Sequence, residues 1–446
     1  MKTFFIASLG CAKNTVDAES MAQLLRREGY RFVDDPARAE VLIVNTCGFI
    51  APAREESLAA LREFAAQKRP GQFLIAAGCL TQRYGAEVAQ QVPGVDAILG
   101  TRRWMDIVSV VRRLRATPHP QPLYHLPDTP TVGRDEQGVL RVARQGGSAY
   151  LKIADGCRRK CAFCAIPLIK GTLVSRPRAA ILADVQALQE AGVQEVILIA
   201  QDTTDYGHDR GERDGLASLL EDIVAVAPDI PWIRVMYAFP GYVTDRLIEV
   251  MATHPQILPY LDMPLQHADP ATLRRMQRPA NLDWVHRTLA KVRQAMPDVA
   301  LRTTFIVGYP GETEAAFQTL LDFMAEIRFD RVGAFQFSYE PGTASARFGD
   351  PIPPEVKQER WERLMALQQE ISLERNQSLV GQVLDVLVEG YDEAHNIAIG
   401  RTYRDAPEID GLVLVEGTAQ VGALVPVRIG GAMPYDLTGV PVVRKA

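Results

Sequence analysis

No apolar run in this chain reaches the ~18 residues that a membrane span needs. No repeat of about 20–50 residues and no low-complexity tract interrupts it either. Positive charge is not in excess: 49 Lys and Arg against 54 Asp and Glu give a net charge of −5. That excludes a protein whose whole surface grips nucleic acid and leaves only a local basic groove. The opening residues carry an apolar stretch of just six, Phe4 to Leu9. This is shorter than the ~7–15 of a secretory core, and a helical pattern follows at once. It reads as the first strand of a cytoplasmic protein. Cysteine is absent from the last 282 residues. The six present are Cys11, Cys47, Cys79, Cys157, Cys161 and Cys164. A chain this long needs no disulfide staples, so thiols at ligand spacing point to metal rather than to cross-links.

What is present is length and an ordinary globular composition. At ~150 residues per domain, the 446 residues suggest about three domains. Apolar residues make up 47% and charged residues 23%, enough to build a core. Residues 1–116 alternate short apolar runs with amphipathic helices, the signature of a parallel α/β sheet domain. The expected strands are Thr3–Leu9, Val41–Asn45, Phe73–Ala77 and Val95–Leu99; the expected helices are Val16–Glu28, Arg54–Gln67, Tyr84–Gln91 and Arg103–Leu114. Cys11, Cys47 and Cys79 each follow a strand end beside a glycine. The carboxyl ends of parallel strands line one crevice, so three thiols distant in sequence can meet there. Residues 117–142 hold five prolines and read as a semi-rigid linker.

A second alternation fills residues 143–374. Strands are expected at Ala149–Ala154, Glu195–Ala200, Trp232–Ala238, Tyr260–Pro264, Arg302–Val307 and Val332–Ser338, with a closing helix near Pro354–Ser378. Six such units suggest a partial (β/α)6 barrel, whose chemistry would sit on loops at the C-terminal strand ends. Residues 375–442 change to short Val/Leu-rich runs between turns, the pattern of a small C-terminal antiparallel β-barrel. Cys157, Cys161 and Cys164 form C-x3-C-x2-C directly after the first barrel strand. Three thiolates in a tight loop can hold three irons of a 4Fe–4S cluster and leave the fourth open. An open iron is what a reacting centre requires, and it could chelate S-adenosylmethionine. The alternative is a zinc knot borrowing a fourth ligand, but no His or Cys lies in the following 40 residues.

This motif, after the first strand of a partial barrel, resembles the radical S-adenosylmethionine superfamily. The upstream three-cysteine sheet and the terminal barrel, resembling a TRAM domain, narrow the resemblance to the methylthiotransferase family over about residues 2–442. The resemblance implies two 4Fe–4S clusters: a radical-generating one on Cys157, Cys161 and Cys164, and an auxiliary one on Cys11, Cys47 and Cys79. It also implies S-adenosylmethionine as cofactor and an electron donor such as flavodoxin or ferredoxin. Phe163 resembles the aromatic near the adenine; its alternative is a side chain that only fills the barrel mouth. Gln201 ends the second strand, where the superfamily contacts the methionine moiety. Gly308 lies in a segment resembling the one that approaches the adenine, although such a glycine can simply make a strand-to-helix turn. His267 is expected to be hydrogen-bonded rather than catalytic. Radical chemistry suits an unactivated C–H bond, which no side chain can deprotonate near neutral pH.

Within the family the local sequences at 45–50, 164–171 and 400–411 resemble the RimO type. That type modifies the β-carbon of an aspartate in small-subunit ribosomal protein S12. The alternative is the MiaB type, which methylthiolates a tRNA adenosine next to the anticodon. From Asn376 onward nine acids face five bases. An acidic terminal domain, with Asp405, Glu408 and Asp410, would repel RNA and complement a basic ribosomal protein; otherwise these acids are a solvated face. A non-catalytic iron–sulfur electron carrier fits poorly, because such carriers close their clusters with four cysteines.

Overall fold

The computed structural model describes residues 2–116, 121–127, 129, 131–134 and 137–443. The first domain is a six-stranded parallel sheet: β1 (Thr3–Ser8), β2 (Arg31–Phe32), β3 (Val41–Thr46), β4 (Phe73–Gly78), β5 (Ala97–Gly100) and β6 (Leu123–His125), in the order β2-β1-β3-β4-β5-β6. All six residues of β3 are buried, as a central parallel strand covered on both faces requires. Two apolar clusters pack on the two faces, around Met21, Leu25 and Val110 on one and Leu58, Leu61 and Val88 on the other. Helices α1 (Ala12–Arg27), α2 (Ala51–Gln67), α3 (Cys79–Gln91) and α4 (Ile107–Ala116) cover it.

The Pro-rich stretch is more than a spacer. β6 lies within it and extends the sheet beside β5. Arg27 donates to the carbonyls of Gln137 and Gly138, and Ser20 to that of Leu140, so this segment is tied along α1. Expected linker residues 117–120, 128, 130, 135 and 136 lie outside the described residues.

The second domain is an open barrel. β7 (Val142–Gln145) runs antiparallel to β8 (Ser148–Lys152), and a short pair, β9 (Ala154–Asp155) and β10 (Val174–Ser175), follows. Parallel strands β8, β11 (Glu195–Ile199) and β12 (Trp232–Val235) continue through a bridge between Ile233 and Ile257 to β13 (Tyr260–Asp262), β14 (Ala300–Val307) and β15 (Arg331–Gln336). These six strands are the six expected. The long helix Pro354–Gln377 closes the unit.

The third domain is a closed five-stranded barrel of β16 (Val383–Asp392), β17 (Ile397–Arg401), β18 (Val413–Glu416), β19 (Leu424–Ala432) and β20 (Leu437–Pro441), in the order β16-β17-β18-β20-β19. The expected small antiparallel barrel is present, with four antiparallel seams and one parallel one, between β18 and β20. A ring with an odd number of strands cannot alternate direction all the way round, so one seam must be parallel.

This barrel caps the N-terminal end of the second domain. Arg401 bonds Glu195 at 2.6 Å and Ser148 at 3.0 Å, the first residues of β11 and β8. Arg331, the first residue of β15, bonds Asp405 at 2.5 Å; Tyr260, the first of β13, donates to Asp410 at 2.6 Å. Asp405 is 1% exposed. The expectation that Asp405 and Asp410 face a substrate is therefore wrong: Asp405 pairs with the buried Arg331, and Asp410 shares Arg302 with Asp262. Glu408 alone of the three is exposed.

Candidate active site

A cavity of about 420 Å³ opens at the C-terminal end of the barrel, and all six cysteines line it. Two different chain geometries bring them there. In the first domain, β1, β3 and β4 end side by side in register, Ser8 beside Asn45 and Thr46 beside Gly78. The next residues turn away and present Cys11, Cys47 and Cys79. Cys11 is the N-cap of α1, and Asn14 and Thr15 donate their backbone N–H groups to its carbonyl. Gly10 is required at that turn. Its φ is +89°, and a Cβ there would lie 2.7 Å from Cβ of Cys47.

Asn14, 1% exposed, ties the three loops together. Its Nδ2 donates to the carbonyls of Leu9 at 2.9 Å and Thr46 at 3.0 Å, and its Oδ1 accepts from the Cys79 thiol at 3.5 Å. Asn45 Nδ2 returns a bond of 2.7 Å to the Asn14 carbonyl. α1 thus begins at Ala12, four residues before the expected Val16. Its first turn serves the cavity rather than the core, which is why apolar periodicity does not mark it.

In the second domain, the loop after β9 presents Cys157, Cys161 and Cys164. Cys157 N–H donates to the Gly171 carbonyl at 3.0 Å, and Ala162 N–H to that of Met276 at 2.8 Å, so both ends of the loop are held. Arg159 N–H donates to Cys157 Sγ at 3.4 Å, and Arg278 Nη1 to Cys161 Sγ at 3.4 Å. Arg278 also lies 4.0 Å from the Phe239 ring centre. Arg159 is fixed by Asp202 at 2.7 Å and stacks 3.6 Å over Tyr242.

Burial raises the thiols of Cys47, Cys79, Cys157 and Cys164, with the first two opposed by backbone or lysine groups; Cys79 reaches about 12 and Cys157 about 11. Cys11 is the exception. Burial raises it too, but Lys13 and the backbone N–H groups of the helix start outweigh that and lower it. Clustered thiols in such surroundings resist deprotonation until a cation meets them, which is the donor chemistry of an iron–sulfur centre. Among the described residues no three ligand-type side chains close on one ion-sized point. The six thiols instead share the wall of the larger cavity.

A buried charge network locks the two cysteine sets in register. Asp17 of α1 accepts from Arg141 at 2.6 Å, Lys152 at 2.5 Å and Lys170 at 2.9 Å. Asp155, two residues before Cys157, meets the same three at 3.1–3.4 Å. Burial opposes ionisation of both carboxyls, but Lys152 and Lys170 hold them below the usual range. Arg102 of the first domain adds bonds of 2.8 Å to the carbonyls of Leu168 and Ile169.

Of the other expected contacts, Phe163 and Gln201 line the cavity. Phe163 also packs against Met276, Tyr309 and Phe337, so it fills the mouth as well. Gln201 Oε1 is buried without a hydrogen-bond partner among the described residues. Gly308 is not on the wall. Its φ of +72° makes a turn whose N–H donates to Glu312 at 2.9 Å, under Lys357 of the closing helix. His267 is buried and its Nδ1 accepts from Asp269 N–H at 2.9 Å. Sequence reasoning missed Lys13, Asn14, Tyr237 and Arg278. Tyr237 has φ of +62° and Gln266 of +79°, strained conformations that no residue type there announces.

Residues 151–324 match the Radical SAM superfamily and residues 380–442 the TRAM domain. Residues 3–100 match a family described as uncharacterized protein family UPF0004. A protein of Chloroflexus aurantiacus, "Ribosomal protein uS12 methylthiotransferase RimO", is 50% identical over 98% of this chain and 99% of its own length. A protein of the same name from Roseiflexus sp. is 49% identical over 98% and 96%. Among solved structures, the radical S-adenosylmethionine methyltransferase TsrM from Kitasatospora setae aligns with a TM-score of 0.56 and 13% identity, covering 87% of this chain and 81% of that one. That likeness shows the fold alone. No described helix is long and apolar enough to cross a membrane.

Proposed function

The chain belongs to the RimO family of ribosomal protein uS12 methylthiotransferases, and from that premise we propose that it adds a methylthio group to the β-carbon of an aspartate of that protein. One observation carries the reading: two three-cysteine sets, from two domains, wall a single cavity at the C-terminal end of the barrel. The superfamily match supports S-adenosylmethionine and one iron–sulfur cluster, for which Cys157, Cys161 and Cys164 are the ligands. The second cluster rests on Cys11, Cys47 and Cys79, three thiols on three loops tied by one asparagine. When bound, these groups supply a hydrogen-abstracting radical, the sulfur and the methyl group.

The chain's own residues bind, orient and exclude. Gln201 Oε1 is a free acceptor for an ammonium donor such as that of a methionine moiety. Phe163 offers a face for an adenine. Phe49, Ile166, Ile169 and Phe239 keep the wall apolar and water scarce. Arg278 donates to Cys161 Sγ, and such a donor at a cluster ligand would tune the centre it holds. An external one-electron donor such as flavodoxin or ferredoxin completes the reaction.

The test is anaerobic reconstitution with iron, sulfide, S-adenosylmethionine and a reductant, supplied in parallel with purified uS12 and with tRNA. Mass spectrometry is expected to find methylthiolated aspartate in uS12 and unmodified tRNA. Modified tRNA with unmodified uS12 would return the chain to the MiaB type. Iron binding without release of 5′-deoxyadenosine would make it an electron carrier.

A further inference from the structure

Four cations line the cavity: Lys13, Arg159, Lys170 and Arg278. Three are engaged. Arg159 is paired with Asp202, Lys170 with Asp17, and Arg278 with the Cys161 sulfur and the Pro264 carbonyl. Lys13 is different. Among the described residues no carboxylate lies within ion-pair distance of it and no acceptor bonds its ammonium. Its Nζ sits 3.3 Å over the centre of the Tyr237 ring. An ammonium on an aromatic face gives the ring its charge and keeps donors free on the other side. The seat is firm: Tyr237 N–H donates to Asp262 at 3.0 Å, and its carbonyl accepts from Thr203 N–H at 3.1 Å.

Position completes the argument. Lys13 stands two residues after Cys11 on the first turn of α1, while Tyr237 follows β12 of the barrel. Their contact joins the first domain to the barrel on the wall of the cavity that both cysteine sets line. A substrate carbon that would lose its hydrogen to a radical formed from the cofactor at one set and gain sulfur at the other has to lie between them. We propose that Lys13 binds the side-chain carboxylate of the substrate residue and so sets the specificity of the site for an acidic side chain. This rests on the aspartate reading above. In aspartate the β-carbon is bonded directly to the carboxylate carbon, so a charge-assisted bond of about 2.7–2.9 Å to the carboxylate fixes the reacting carbon one bond away. The cofactor also carries a carboxylate; the experiment separates the two.

The test measures binding of uS12, with aspartate or asparagine at the target position, to the anaerobically reconstituted enzyme without reductant. Affinity for S-adenosylmethionine, iron content and 5′-deoxyadenosine release without substrate are measured beside it. Removing a bond to a charged group costs about tenfold to a hundredfold in affinity. Wild type should prefer the aspartate form by about that factor, and Lys13→Met should lose the preference while keeping cofactor affinity. Lys13→Arg should restore much of it. Tyr237→Leu, which removes the aromatic seat but not the ammonium, should weaken the preference partially. An aspartate preference that survives in Lys13→Met overturns the assignment. So does weakened S-adenosylmethionine binding with the uS12 preference intact, which would give Lys13 to the cofactor. If wild type modifies no uS12, the functional reading itself has failed.

Discussion

Glu195→Gln should undock the terminal barrel's anchor by a calculable amount. Glu195 is wholly buried at the start of β11, between Arg234 at 2.7 Å and Arg401 at 2.6 Å, and accepts from Ser148 at 2.9 Å. Burial raises its carboxyl, but the two arginines more than offset that and hold it at about 2, against 4.5 ordinarily. At about 1.4 kcal/mol for each tenfold change in proton affinity, the ionised form contributes about 3 kcal/mol to the folded state. Removing one partner of a buried ion pair costs about 3–5 kcal/mol by another route, so the two magnitudes agree. Because the folded value is the lower one, the stabilisation is complete above pH ~5 and fades as pH falls from about 4.5 toward 2. The assay is urea unfolding of the iron-free chain, wild type and Glu195→Gln, from pH 8 to pH 2.5, followed by circular dichroism. At pH 7 the variant's midpoint should fall by an amount equivalent to about 3 kcal/mol with an unchanged slope. The gap should stay constant to pH ~5 and then close. A gap below ~1 kcal/mol at pH 7, or one that persists to pH 2.5, would refute the assignment of the stabilisation to the ionised pair.

The remaining predictions concern the site and the exposed acids. Replacing Cys157, Cys161 and Cys164 by Ala should leave about half the iron and abolish 5′-deoxyadenosine release, measured by iron assay and chromatography; loss of all iron from a folded variant would show the two sets to be interdependent. Replacing Cys11, Cys47 and Cys79 should spare S-adenosylmethionine cleavage but stop methylthio product, so product at wild-type level would remove the sulfur role from that set. Reversing the exposed Glu393, Glu408 and Glu416 to Lys should slow association with uS12 and reduce its salt dependence, at about 0.2–1 kcal/mol per pair; binding measured at two salt concentrations that does not change would assign those acids to solvation. The same reversal at Asp405 should act on stability instead, because that carboxylate is already spent on Arg331.

How much of this was legible follows from what each residue does locally. Strand-end cysteines next to glycine are readable because both the pleat and the turn leave marks in the sequence, and the structure places Cys11, Cys47 and Cys79 just past neighbouring parallel strand ends, while Cys157, Cys161 and Cys164 share one loop of the barrel. The starts of α1 and α3 were not readable. Ala12–Thr15 and Cys79–Gln82 are helical but do not show the apolar stripe that defines a helix by pattern. The last barrel strand, Leu437–Pro441, was hidden by Gly439 and Pro441, which read as turn residues but here pair with Ile429 and Val427 and close the ring. Asp405 and Asp410 show the limit most clearly. Their charge is visible in the sequence, but the arginines that neutralise them lie 74 and 108 residues away, a pairing only the barrel topology creates.

That topology also separates the two tasks of the molecule. One apolar cluster runs through the barrel from Val16 of the first domain, past Ile197, Trp232 and Tyr260, to Leu387 and Ala406 of the third. The lumen is therefore filled from both ends, by the sulfur-bearing domain above and the terminal barrel below. The strands between run from three residues (β13) to eight residues (β14), up to about 26 Å at ~3.3 Å per residue. Nothing held by the terminal barrel at the N-terminal strand ends can touch the reacting carbon directly. A partner gripped there must reach the full height of the second domain to place a side chain in the cavity. Recognition by the terminal domain and selection by the residues around the cysteines would thus act at opposite ends of the second domain.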